Sequence, residues 1–149
     1  MINDNLKLRG DVALVLKDKD GNIKESREIN NLVVTAGLTF ICARMAAASA
    51  NVMSHMALGS STTAPSAGQT DLVSILGSRE ALDSTSASAN TITYVSSFEA
   101  GEGTGAVTEA GIFNAASSGT MLCRTVFAVV NKQADDTMSV TWTITLSAS

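Results

Sequence analysis

Any chemistry in this sequence would begin at His55, the one imidazole in 149 residues and the one side chain whose ordinary pKa suits proton transfer near neutrality. Ser54 precedes it, so a nucleophile and a base are neighbours in the chain. A Ser-His-acid site needs the two side chains to converge and a carboxylate to orient the ring. Residues 52–58 read as a strand, where neighbours point to opposite faces, so Ser54 and His55 are not expected to meet. No Gly-x-Ser-x-Gly turn is present to display a serine. His55 is therefore expected to serve structure or an interface.

The acids offer a second chemistry. Glu99, Glu102 and Glu109 would supply the carboxylate pair of a glycosidase or glycan-binding module. Such sites hold sugars on aromatic platforms, and only 4% of this chain is aromatic. The three glutamates read as loop and rim groups, and Asp135-Asp136 as a hairpin turn. Asp18-Lys19-Asp20-Gly21-Asn22 begins like a calcium loop, but its sixth position is Ile23 and its twelfth Ile29, where Gly and Glu are required. Gly101-Glu102-Gly103-Thr104-Gly105 has no Lys-Ser/Thr ending and no helix behind it, so it reads as a strand connection and not a phosphate cradle. One His and two Cys are too few for a Cys/His zinc site or a disulfide scaffold. Cys42 and Cys123, in apolar settings, are expected to be reduced core thiols. No catalytic residue, cofactor or metal ligand is assigned.

Positioning falls to a chain that reads mainly as β-structure. Runs at 11–17 and 23–30 flank Asp20-Gly21, a hairpin signal because Gly accepts the positive φ of tight turns. A two-residue loop would set Lys17 against Lys24, so the register stays open. Leu38, Ile41, Cys42 and Met45 then fall at i, i+3, i+4 and i+7, predicting one amphipathic helix over 35–47 with Thr35 as N-cap and Gly37 as a weak point. Further strands are expected at 52–58, 79–85, 91–99, 106–113, 120–130 and 138–146. A polar loop over 60–68 and an irregular or helical turn over 71–76 separate the first two. Val140, Trp142, Ile144 and Leu146 share one face of the last strand. The fold class is a single-domain antiparallel β-sandwich, jelly-roll-like, with one helix and an N-terminal β-hairpin arm (1–30) before the body (31–149).

Charge divides along the same line. Residues 1–30 hold 12 of the 24 charged residues, and the other 119 hold four bases and eight acids. Ala, Ser and Thr make up 55 positions, so the body is expected to be faced with small neutral groups that lose little on desolvation. A net charge of −4 and a pI near 4.8 argue against nucleic-acid binding. The start shows no basic and apolar leader, and the run from Leu32 to Ala50 is too polar for a bilayer, so synthesis in a cytoplasm and no membrane partner are expected.

From Asn31 onward the order of motifs resembles a family of small bacteriophage virion structural proteins. The matching pieces are Asn31–Gly37, His55–Gly59 with Thr62-Thr63, Gln69–Leu72, Arg79, Thr108-Glu109-Ala110-Gly111-Ile112-Phe113-Asn114, Gly119–Phe127, Lys132 and the closing strand with Trp142. The resemblance covers residues 30–146. It implies a role in the particle, either head decoration (cement) or a tail or fibre-associated module, and a tail, collar or baseplate adaptor is the alternative expectation. It also implies that Glu109 pairs with Arg124 or Arg79 and that Gly111 permits a close approach. The chain stops after its last strand without a fibre shaft, which favours the cement type.

The expected partners are the major capsid protein and further copies of the chain as a dimer or trimer. Localisation is expected at the head surface, after synthesis in the bacterial host. The expected contact residues lie in the charged segment: Leu6, Lys7, Leu8, Arg9, Lys17, Lys19, Lys24 and Arg27. That hairpin also exposes edges through which sheets can be extended.

Overall fold

The computed structural model describes residues 5–46 and 50–148. Two five-stranded antiparallel sheets face each other in the expected sandwich-like arrangement, with one helix. Sheet A runs β2 (Ile23–Asn30), β1 (Leu6–Lys17), β10 (Thr137–Ala148), β7 (Thr91–Phe98), β6 (Ser84–Ser88). Sheet B runs β3 (Leu32–Val33), β9 (Met121–Lys132), β8 (Gly105–Phe113), β4 (His55–Gly59), β5 (Glu80–Ala81). The 79–85 segment thus divides between the two sheets.

Period-two patterning builds sheet A. Val12, Leu14 and Leu16 of β1 and Met138, Val140, Trp142 and Ile144 of β10 point inward, and all are buried. They meet Met56, Leu58, Val107, Ile112, Phe127 and Val130 from sheet B. Sheet B differs because much of it is buried on both sides. Its outer face carries a second cluster, Val34, Ala57, Phe113 and Met121, with Ala36 and Leu72 against it.

The hairpin is not an arm set apart from the body. β1 pairs with β10 from Leu6↔Ala148 to Lys17↔Thr137, so residues 6–17 form an inner strand of sheet A. The charges that suggested an appendage occupy alternate positions, and the intervening apolar residues fill the core. A bulge between Leu16 and Lys17 resolves the register: Lys17 stands opposite Ile23, and Lys24 turns away to Asp136.

Helix α1 (Thr35–Met45) also departs from its expected orientation. Leu38 is 47% and Met45 81% exposed, and Cys42 is exposed too, so the thiol is not in the core. The packed face is one residue out of phase. Gly37 is buried on the backbone of Leu122, where a Cβ would collide with the carbonyl, and Phe40 and Ile41 pack on the core. Val34 holds the N-cap position without a side-chain bond, and Thr35 is the first helical residue. Thr35 donates its N–H to the Ala67 carbonyl at 2.8 Å. Among the described residues no helix is long and apolar enough to cross a membrane.

Candidate functional site

The serine and the histidine do meet. Strand β4 begins at His55, so Ser54 escapes the alternation, and its Oγ lies 2.7 Å from His55 Nδ1. Among the described residues no carboxylate is hydrogen-bonded to the ring, so the orienting member of a relay is missing from this pair.

The glutamates separate into two places. Glu102 closes the β7–β8 turn by accepting the Glu99 N–H at 2.8 Å. Gly101, Gly103 and Gly105 in that connection all have positive φ, which explains the glycines without a ligand. Asp18 accepts the backbone N–H groups of Asp20 and Asn22 at 2.9 and 3.0 Å, which hold its carboxyl below the usual range, the bond from Asn22 foremost. Among the described residues no group of three or more His, Cys, Asp or Glu could hold a metal ion.

Glu109 instead lies in the middle of β8 on the outer face of sheet B, fully buried. Arg124 Nη2 and Nε stand 2.8 and 2.9 Å from its Oε2, with Arg124 fully buried as well. The pair fastens the loop that crosses the sheet. Glu109 accepts the N–H groups of Ser74 at 2.7 Å and Val73 at 3.2 Å, and Arg124 Nη1 donates to the Thr63 carbonyl and to Gln69 Oε1, each at 3.0 Å. Thr108 Oγ1 donates to the Ser61 carbonyl at 2.8 Å.

Arg79 takes no part in the Glu109 pair. It stacks 3.6 Å from the centre of the Phe113 ring, donates to the Ala115 and Ser118 carbonyls, and reaches Asp71. A Cβ at Gly111 would crowd Leu72 and Phe113, so the close neighbours there are side chains. The motifs from Thr62 to Arg124 thus converge on one fixture that ties residues 60–76 over sheet B.

Two buried charges escape the sequence reading. Lys132 donates to the carbonyls of Asp136 and Glu99 at 2.7 and 2.9 Å, and burial lowers its pKa. Asp136, read as part of a hairpin turn, is 3% exposed and accepts from Lys24 Nζ at 2.7 Å. The signal for Lys132 was present, since it lies two residues after inward Val130 on the same strand face. With Arg79, Arg124 and Lys132 all inside, the body beyond the hairpin presents one exposed base among the described residues, Arg44.

Two surfaces remain. The first is the outer face of sheet A, where Thr137, Ser139, Thr141, Thr143, Thr145 and Ser147 of β10 lie in a half-exposed row. On β7, Thr91, Thr93, Val95 and Ser97 stand beside them. On β1, Lys7, Arg9 and Lys17 stand opposite Ser147, Thr145 and Thr137. Compared with known families, characterised proteins and solved structures, the chain matches none. The second surface is an apolar groove of about 370 Å³ between α1 and sheet A, lined by Phe40, Ile41, Tyr94, Ile144 and Leu146 among others. Met45 and Val52, 81% and 60% exposed, also line it.

The eight residues expected to make partner contacts do not form one patch. Lys7, Arg9 and Lys17 share the outer face of sheet A, with Arg9 bonded to Asp11 at 2.9 Å. Leu6, 70% exposed, and Leu8 point to the opposite side, and Leu8 pairs with Leu146 of the groove. Lys19 lies in the β1–β2 turn, Lys24 on Asp136, and Arg27 on Glu25 at 2.6 Å.

Proposed function

We propose that the protein is a structural component of a bacteriophage particle, a decoration protein that binds the outside of the major capsid lattice and stabilises the head. The observation that carries this reading is the division of labour just described. The motifs that carry the resemblance to virion proteins are spent on holding the sandwich and its loop, and one of the two surfaces left is a Ser/Thr sheet face bordered by Lys7, Lys17 and the Arg9–Asp11 pair.

Such a face suits repetitive packing on a protein lattice. Hydroxyl and methyl groups on a central strand give up little hydration when covered, and no unpaired charge has to be buried with them. The lysines and Arg9 at the border add charge complementarity, which sets orientation more than affinity. Many weak contacts on a fixed lattice then act together, because attachment at one point raises the effective concentration at the next.

Imaging of purified particles tests this. Density for the chain over the head, in copy numbers of hundreds, is the expected result. Density confined to the tail, collar or baseplate, at six to a dozen copies, would transfer the reading to a tail adaptor.

A further inference from the structure

We infer that β2 is a dimerisation edge, pairing antiparallel with β2 of a second copy about a two-fold axis at Ser26. β2 ends sheet A, and among the described residues no strand pairs with its free side. The segment from Asn22 to Asn30 reads Asn-Ile-Lys-Glu-Ser-Arg-Glu-Ile-Asn. Laid antiparallel on itself about Ser26, the regular part of the strand sets Glu25 against the partner's Arg27 and Arg27 against the partner's Glu25. Beyond these two residues the β1–β2 bulge turns Ile23 to the face of Lys17, and Lys24 stays on Asp136 of its own chain.

The backbone phase agrees. Asn31 donates its N–H to the Gly10 carbonyl at 3.1 Å, which makes Gly10 and Asn31 a hydrogen-bonded pair of the β1–β2 ladder. Such pairs alternate, so the residues with N–H and C=O turned away from β1 are Asn30, Glu28 and Ser26. A two-fold axis at Ser26 requires Ser26 to bond its own copy, and its polar groups point the correct way.

The charges also select the register. A slip of two residues in one direction sets Arg27 against Arg27, and in the other Glu25 against Glu25; a parallel arrangement opposes every charge to itself. Charged edges ordinarily block promiscuous pairing. Here the same charges permit one partner, a second copy, in one alignment. The Arg27–Glu25 pair within β2, at 2.6 Å, would meet its inverted copy and close a ring of four alternating charges. The two sheets would become one of ten strands.

This inference stands apart from particle binding and is tested on the purified full chain by sedimentation equilibrium. Wild type is expected to dimerise, and Glu25→Arg or Arg27→Glu alone to weaken the dimer by about tenfold or more, since each sets two like-charge pairs face to face. Mixing the two single variants is expected to restore association as a heterodimer, and the double swap E25R/R27E to restore the homodimer. A role confined to one chain gives no such rescue by mixing. Ser26→Pro removes an N–H that β1 does not use, so it is expected to abolish the dimer while leaving the folded spectrum intact. A wild type that stays monomeric overturns the inference, as does a dimer indifferent to these changes. So does a dimer lost instead on Ser86→Lys, which would place the contact at the other free edge, β6.

Discussion

The guanidinium of Arg124 and the carboxylate of Glu109 lie 2.8 Å apart, both fully buried, beneath a loop whose backbone they hold. Removing one partner of such a pair leaves a charge in the dry interior, at a cost of about 3–5 kcal/mol. Arg124→Met is expected to lose that much in urea unfolding, and Arg124→Met with Glu109→Gln to regain a large part. Both should leave the loop less tightly fastened, so thermolysin cleavage within 60–76 rises in the single and the double variant alike. Unchanged cleavage in both would show that the loop does not depend on the pair.

Gly37→Ala tests the contact of α1 with β9. Helix propensity favours the change by about 1 kcal/mol. The added Cβ collides with the Leu122 carbonyl, and overpacking of this kind costs about 1–3 kcal/mol. A lowered Tm is the expected outcome, and a raised one would mean that the helix can lift from the sheet without penalty.

The two cysteines should differ in reactivity. Burial pushes the Cys123 thiol up to about 12, whereas Cys42 is exposed on α1. A thiol reagent at pH 8 is expected to titrate one equivalent in the native protein and two in denaturant. Cys42→Ser should remove the native equivalent.

Asp136 gives the stability a pH dependence. The hydrogen bond from Lys24 chiefly, with the Gln133 N–H and the Lys132 charge, holds its carboxyl below the ordinary value. A carboxyl depressed in the folded state stabilises fully above the unfolded pKa of about 4 and loses that contribution as pH falls through the folded value. Asp136→Asn should therefore flatten the stability profile between about pH 5 and pH 2. An equal slope in wild type and variant would assign acid unfolding to other groups.

What could be read in advance followed period and charge. The alternation around Trp142 located β10 and its buried face, and Asp20-Gly21 located the hairpin. The Glu109–Arg124 pair was one of two pairings that the motif resemblance offered. The helix was found but turned by one residue, because its packed face is decided by Gly37 against a backbone that lies 85 residues further on. The covering of sheet B by residues 60–76 left no sequence signal. Ser, Thr and Gly compose a fastened loop as readily as a free one, and its anchors are backbone N–H groups received by a distant carboxylate. The hairpin looked separable because its charges were counted along the chain and not by face.

The place of β10 between β1 and β7 bears on how the chain reaches this state. During synthesis the N-terminal hairpin emerges early, yet the strand that joins it to β7 is completed only when residue 148 has been added. Until then Val12, Leu14 and Leu16 lack their cross-strand neighbours Trp142, Val140 and Met138. Sheet A therefore closes after translation of residues 137–148, through contacts between the two ends of the fold, a slow order of events that leaves a half-built sheet exposed on the ribosome.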